Sequence, residues 1–161
     1  MKIGIISDTH DHLDNIKKAM ELFKEEQISY LIHCGDFVAP FTLPLLSQLN
    51  IPFLGVFGNN DGERLLLRER AKDIGEIKVQ PAFLELEGKK IVVMHEPALQ
   101  TALAKSGEFD VVLVGHTHKA EIIEEGRTLI INPGECCGWL TNRATIAVLD
   151  LSTMSARLIE L

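Results

Sequence analysis

Asp8-Thr9-His10, Gly35-Asp36, Gly58-Asn59-Asn60-Asp61 and Gly115-His116-Thr117-His118 each follow a short apolar run, and His95 follows Ile91-Val92-Val93-Met94. Carboxylate, amide and imidazole groups are the oxygen and nitrogen donors that hold divalent metals. A short strand ending in such a residue carries the donor from a rigid sheet into a loop. One such ending means little, because a lone Asp is usually a helix cap or turn residue. Five in one chain point to a shared site.

Asp8 and His10 are one residue apart, so an extended segment would turn both toward the same cavity. His116 and His118 repeat that spacing, and Gly35 allows a sharp turn before Asp36. The candidate metal donors are therefore Asp8, His10, Asp36, Asn59, His95, His116 and His118. They suffice for two octahedral or five-coordinate divalent ions if one carboxylate bridges and waters complete the shells.

The elements that must position these donors follow from hydrophobic periodicity. Lys2 to Ser7, Tyr30 to Cys34 and Pro52 to Phe57 read as buried strands. Between them, Ile16, Ala19, Met20 and Phe23 recur at helical spacing after a cap at Asp14, and a second helix is predicted near Phe41 to Leu49. A charged helix follows from about Gly62 to Lys72. This alternation implies parallel pairing with right-handed crossovers.

The second half reads as Ala82 to Leu86 and Lys90 to Met94 about a hairpin turn, a short helix over Ala98 to Ser106, then five strands. Those strands are Val111 to Val114, Ala120 to Glu124, Leu129 to Asn132, Ala144 to Asp150 and Ala156 to Leu161. Two sheet-forming halves with outer helices predict an α/β fold, a four-layer α-β-β-α sandwich of two mixed sheets flanked by helices. No repeat or linker divides residues 1–161, so one domain is expected. All five clusters fall at predicted strand ends, where sites in α/β folds gather.

Composition narrows the partners. A formal net charge of -7 lowers the expectation of nucleic-acid binding. No apolar run approaches a membrane span, and the N-terminal one is too short for a signal peptide, which predicts a cytoplasmic protein. Cys34, Cys136 and Cys137 lack ligand spacing and a plausible disulfide partner, so they read as buried or half-buried thiols in a reducing compartment.

The ordered set Asp-x-His, Gly-Asp, Gly-Asn, His and Gly-His-x-His resembles the calcineurin-like metallophosphoesterase superfamily. With His33-Cys34-Gly35-Asp36 and Asn132-Pro133-Gly134, it is similar to the small prokaryotic phosphodiesterase branch, archaeal members included, over Met1 to about Asp150. The resemblance implies that Asp8, His10, Asp36 and His118 hold one ion. Asp36, Asn59, His95 and His116 would hold the other and position hydroxide and phosphate, with Asp36 bridging. A hydroxide between the ions is the implied nucleophile. Manganese or nickel is implied by the branch, while the donor types also admit iron, cobalt, zinc and magnesium.

Two divalent ions, two carboxylates and a hydroxide leave about +1, which suits a singly charged phosphodiester. Asp11, Asp14, Asp61, Glu63, Glu96 and Glu135 fall in predicted loops, as solvated charge that disfavours long polyanions. The expected substrate is thus a small phosphodiester; homo-oligomerisation is left open.

Two departures from the family pattern stand out. Asn60 occupies the position where many members carry a histidine that protonates the leaving oxygen, and His95 is followed by Glu96-Pro97 where glycine is common. His12 or a metal-bound water is the candidate replacement acid, and His33 reads as a core histidine. The alternatives are a protein-binding scaffold, as in a eukaryotic trafficking subunit of this fold, and a phosphomonoesterase or nucleotidase.

Overall fold

In β1 (Lys2–Ile6) the side chains of Ile3 and Ile5 join one core cluster and that of Ile6 joins another, so the strand is covered on both faces. A computed structural model describes residues 1–161 and shows how far that pattern extends. Alternation recurs in β6 (Lys89–Val93), where Ile91 and Val93 face one way and Val92 the other. It recurs again in β7 (Val111–Leu113) and β9 (Thr128–Pro133). Period-2 geometry makes continuous apolar runs bury both faces.

The first sheet has the order β11-β10-β1-β2-β3-β4, with β2 at Tyr30–His33, β3 at Phe53–Val56, β4 at Gly75–Lys78, β10 at Thr145–Asp150 and β11 at Ser155–Glu160. β1 to β4 pair parallel; β10 and β11 add antiparallel strands. The second sheet has the order β5-β6-β7-β9-β8, with β5 at Ala82–Leu86 and β8 at Ala120–Glu125 as antiparallel edges. Ile3, Ile5, Ile32 and Leu54 of the first sheet meet Ile91, Val111 and other residues of the second in a shared core.

Outside the first sheet lie α1 (Leu13–Glu25), α2 (Leu43–Leu46) and α3 (Arg64–Ala71), with Ile16, Met20, Phe23 and Leu67 turned inward. α4 (Gln100–Ser106) covers the second sheet through Ala104. The architecture is the expected α-β-β-α sandwich of two mixed sheets. No helix is long and apolar enough to cross a membrane.

Three local expectations are corrected. α1 is capped by His12, whose Nδ1 accepts from the Asn15 N–H at 3.3 Å, and Asp14 lies inside the first turn. The segment expected as one helix near Phe41 to Leu49 is a short α-helix between two 3-10 turns, Pro40–Thr42 and Ser47–Leu49. Pro40 and Pro44 lack the N–H that a continuous ladder needs. β4 was not expected, because only Ile77 of its four residues is buried; backbone pairing to β3 forms it.

Candidate metal centre

Backbone hydrogen bonds continue past the ends of β1 and β2 and lace their loops together. The Asp8 N–H donates to Gly35 O at 3.0 Å, Thr9 to Asp36 O at 3.1 Å and Asp11 to Phe37 O at 3.2 Å. Asp8, His10, Asp36, His116 and His118 have φ of 51°, 39°, 60°, 68° and 61°. The expected extended presentation of Asp8 and His10 is therefore incorrect. Left-handed backbone, which costs non-glycine residues of order 1 kcal/mol or more each, aims these side chains.

All seven candidate donors converge. Asp8 Oδ1 lies 3.3 Å from His118 Nε2 and 3.8 Å from His10 Nε2. Asp36 Oδ2 lies 3.5 Å from His10 Nε2 and 3.5 Å from His95 Nε2, midway between two groups. On the second side, Asn59 Oδ1 is 2.8 Å from His95 Nε2 and 2.9 Å from His116 Nδ1, and the two ring nitrogens are 3.3 Å apart. Asp8, Asp36 and His95 are buried, whereas Asn59 and His116 are exposed, so the cluster opens on their side.

The donor chemistry fits cations. His95 Nδ1 lies 2.8 Å from Cys34 O, which can only accept, so Nδ1 carries the proton and neutral His95 offers a lone pair at Nε2. That lone pair faces Asn59 Oδ1, another acceptor. A cation between two such acceptors would satisfy both. On the first side, Asp8 Oδ1 and His10 Nε2 are buried without any hydrogen-bond partner. Such orphans are costly unless an ion or water satisfies them.

The electrostatics are polarised accordingly. Burial alone would push the Asp8 carboxyl up, but the imidazoles of His10 and His118 and the Ser7 hydroxyl hold it well below the usual carboxylate range. The Asp8 carboxylate raises His10. His118 is raised to about 9, chiefly by Asp8, with burial opposing and Glu135 adding.

The loops around the donors are built tightly. A Cβ on Gly58 would strike Asp36 Oδ1, and one on Gly115 would strike Ser7 Oγ, so both glycines are required for close approach. Asn132 Nδ2 donates to Gly115 O at 3.0 Å and Thr117 Oγ1 at 2.9 Å, fixing the loop of the paired histidines. His33 is buried, stacked on Phe37 at 3.6 Å and kept neutral because burial lowers its pKa to about 3. Its Nδ1 accepts from the Gly35 N–H and its Nε2 lies 3.1 Å from Thr9 Oγ1. It supports both loops from within the core, as expected.

Three residues have roles that their sequence positions did not disclose. Asp61 and Glu135 are buried, not solvated as expected, and Asp11 is half-buried with its Oδ1 accepting from the Ala39 N–H at 2.9 Å. Asp61 accepts from the N–H groups of Asp36, Val38 and Gly58 at 3.1, 2.8 and 2.8 Å, tying together the loops that carry Asp36 and Asn59. Glu135 Oε2 accepts from His118 Nδ1 at 2.8 Å. Burial alone would raise the Glu135 carboxyl, but bonds from Thr141, Cys137 and His118 bring it to about 2.

Asn60 donates from its backbone N–H to Asp36 Oδ1 at 2.8 Å and from Nδ2 to Oδ2 at 2.7 Å, clasping the carboxylate shared by both sides. His12 does not join the donor groups; with Nδ1 engaged as the α1 cap, its ring stands 5.7 Å from that of Trp139. The three cysteines are free and buried. Burial pushes Cys137 up to about 12, and its Sγ lies 3.1 Å from Glu135 Oε2, beside His118.

The sequence matches the calcineurin-like phosphoesterase superfamily domain over residues 1–154. It is 46% identical over 166 residues to a phosphodiesterase of Methanocaldococcus jannaschii, covering 100% of this chain and 99% of that protein. A probable metallophosphoesterase of the same organism is 32% identical over 137 residues, 83% of this chain and 67% of that one. Among solved structures, an archaeal phosphodiesterase superposes with a TM-score of 0.95 at 44% identity, with 100% of both chains covered. Vacuolar protein sorting 29 from Cryptosporidium parvum gives a TM-score of 0.74 at 16% identity, covering 99% and 96%. At that identity the likeness concerns the fold alone.

Proposed function

The chain belongs to the calcineurin-like phosphoesterase superfamily, and from that premise we propose that it is a two-metal phosphodiesterase acting on small phosphodiesters. Asp8, His10, Asp36 and His118 form one ion's ligand set; Asp36, Asn59, His95 and His116 form the other's. The observation that carries the reading is Asp36 Oδ2, equidistant at 3.5 Å from one histidine nitrogen of each set.

Bound divalent ions would acidify a water as nucleophile and neutralise the phosphoryl oxygens. The chain's own residues orient that chemistry. Cys34 O and Glu135 hold the Nδ1 protons of His95 and His118, leaving each Nε2 free for metal. Asn60 and Asp61 fix Asp36 from two directions, and exposed Asn59 and His116 flank the open side where a phosphodiester enters.

Manganese or nickel follows from the resemblance to the small prokaryotic branch, and the mixed carboxylate, amide and imidazole donors accept either, as they also accept iron, cobalt, zinc and magnesium. A net charge of -7 supports small substrates over nucleic acid, and buried free thiols suit a reducing cytoplasm. Metal analysis after reconstitution, with rates on bis(p-nitrophenyl) phosphate and p-nitrophenyl phosphate, tests the reading. Two ions per chain and preference for the diester are expected. Diester hydrolysis that survives complete metal removal would overturn it.

A further inference from the structure

Trp139 is the chain's one tryptophan and is 60% exposed, beside Leu140 at 73%. Its ring centroid lies 6.2 Å from that of His10, whose Nε2 belongs to the donor cluster, and 5.7 Å from that of His12. A tryptophan normally buries much of its large apolar surface. Here it stands at the rim of the metal centre with most of that surface open.

The tip carrying it is rigidly supported. Asn15 Nδ2, from α1, donates to Cys136 O at 3.0 Å and Cys137 O at 3.1 Å on the near side. On the far side the Leu140 N–H donates to Glu135 Oε1 at 3.0 Å, and Thr141 Oγ1 donates to the same oxygen at 2.7 Å. Glu135 is also the partner of His118 at 2.8 Å. The chain on either side of Trp139 and a candidate metal ligand are thus held by one buried carboxylate, so the loop that carries the ring needs little ordering on binding.

We propose that Trp139 is the stacking platform for a planar aromatic ring carried on one ester arm of the substrate. This rests on the phosphodiesterase reading and narrows it to aryl or nucleoside diesters. The ring and the donors are separated by about the reach of one ester arm, and the tie through Glu135 makes the platform part of the site.

The test measures binding of phosphonates, whose carbon–phosphorus bond is not hydrolysed, to the manganese-loaded protein. Phenylphosphonate is expected to bind about tenfold tighter than ethylphosphonate, within the range of ring–aromatic stacking. It should also quench the selectively excited tryptophan fluorescence, which reports Trp139 alone. By calorimetry, Trp139→Ala should collapse the difference between the two ligands, and Trp139→Phe should restore part of it. Comparing adenosine 5'-monophosphate with ribose 5-phosphate separates sources: a base-dependent gain assigns nucleoside diesters, and a gain with phenyl alone assigns aryl ones. Equal affinities for the phenyl and ethyl ligands, or a preference that persists in Trp139→Ala, would overturn the platform. Binding of neither phosphonate while bis(p-nitrophenyl) phosphate is hydrolysed would also overturn the platform, whereas absence of diester hydrolysis by protein shown to hold two ions would instead remove the phosphodiesterase reading.

Discussion

His118 Nδ1 donates to Glu135 Oε2 at 2.8 Å, and this side-chain contact joins the donor cluster to the loop between β9 and β10, beside the Cys137 N–H that donates to Asp8 O at 3.1 Å. The carboxylate also accepts from Leu140, Thr141 and Cys137, so its orientation is set before any ion arrives. It fixes the His118 tautomer with Nε2 unprotonated in the neutral ring, as outer partners of metal-bound histidines do.

Glu135→Gln should therefore weaken metal binding about 10–100-fold while leaving the fold intact. The amide can donate to Nδ1 and move the proton to Nε2, where it blocks the metal. Glu135→Ala should in addition lower stability by roughly 1–3 kcal/mol for each buried donor left unpaired. Calorimetric manganese titration and denaturant unfolding check both; unchanged affinity in Glu135→Gln would show that His118 needs no such partner.

Asp36→Ala should remove both ions, whereas Asn59→Ala should mainly weaken one. Asp36 Oδ2 is 3.5 Å from His10 Nε2 and from His95 Nε2, while Asn59 Oδ1 touches only His95 and His116. Metal content of the purified variants is the measurement. Equal retention in the two variants, with circular dichroism unchanged, contradicts a bridging Asp36.

The pH dependence follows from His118, raised from its ordinary 6.5 to about 9. In the metal-free protein the charged ring contributes stability that is fully present below about pH 6.5 and lost as pH rises through about 9. Metal binding needs the neutral ring, so apparent affinity should move the other way, rising up to about tenfold per pH unit until about pH 9. Thermal unfolding of stripped protein and metal titrations across pH 6–9 should give opposite slopes. Parallel slopes would place the raised pKa elsewhere.

The layered fold was legible because the buried strands are continuous apolar runs whose two faces both need covering. Ile91 to Met94 and Val111 to Val114 could form little else. The donor cluster was visible as five polar endings on those runs. Glu135 was not, since a carboxylate in a predicted loop reads as solvated charge, and its partners are backbone N–H groups, neighbouring side chains and a histidine seventeen positions earlier. Asp61 escaped for the same reason: it binds backbone, which has no sequence signature. β4 escaped because an edge strand with one buried residue carries no alternation.

Asn60 sets the dependence on the leaving group. Its amide clasps Asp36 through Nδ2 at 2.7 Å, and an amide has no proton to give at ordinary pH. A positioned general acid contributes about 10²–10⁴-fold, chiefly when the departing oxygen is a basic alkoxide. A p-nitrophenyl diester, whose leaving group is stable as an anion, should thus react far faster than an alkyl diester. Asn60→His should narrow that gap, with some weakening of metal binding because the clasp on Asp36 is lost. His12 keeps Nε2 free while its Nδ1 caps α1, so His12→Ala belongs in the same series to expose any proton it supplies. Rates across diesters of graded leaving-group pKa, with chemistry verified as the slow step, provide the measurement. A flat dependence in the wild type that persists in His12→Ala would mean that the leaving oxygen is protonated by another group, and the account of Asn60 would fail.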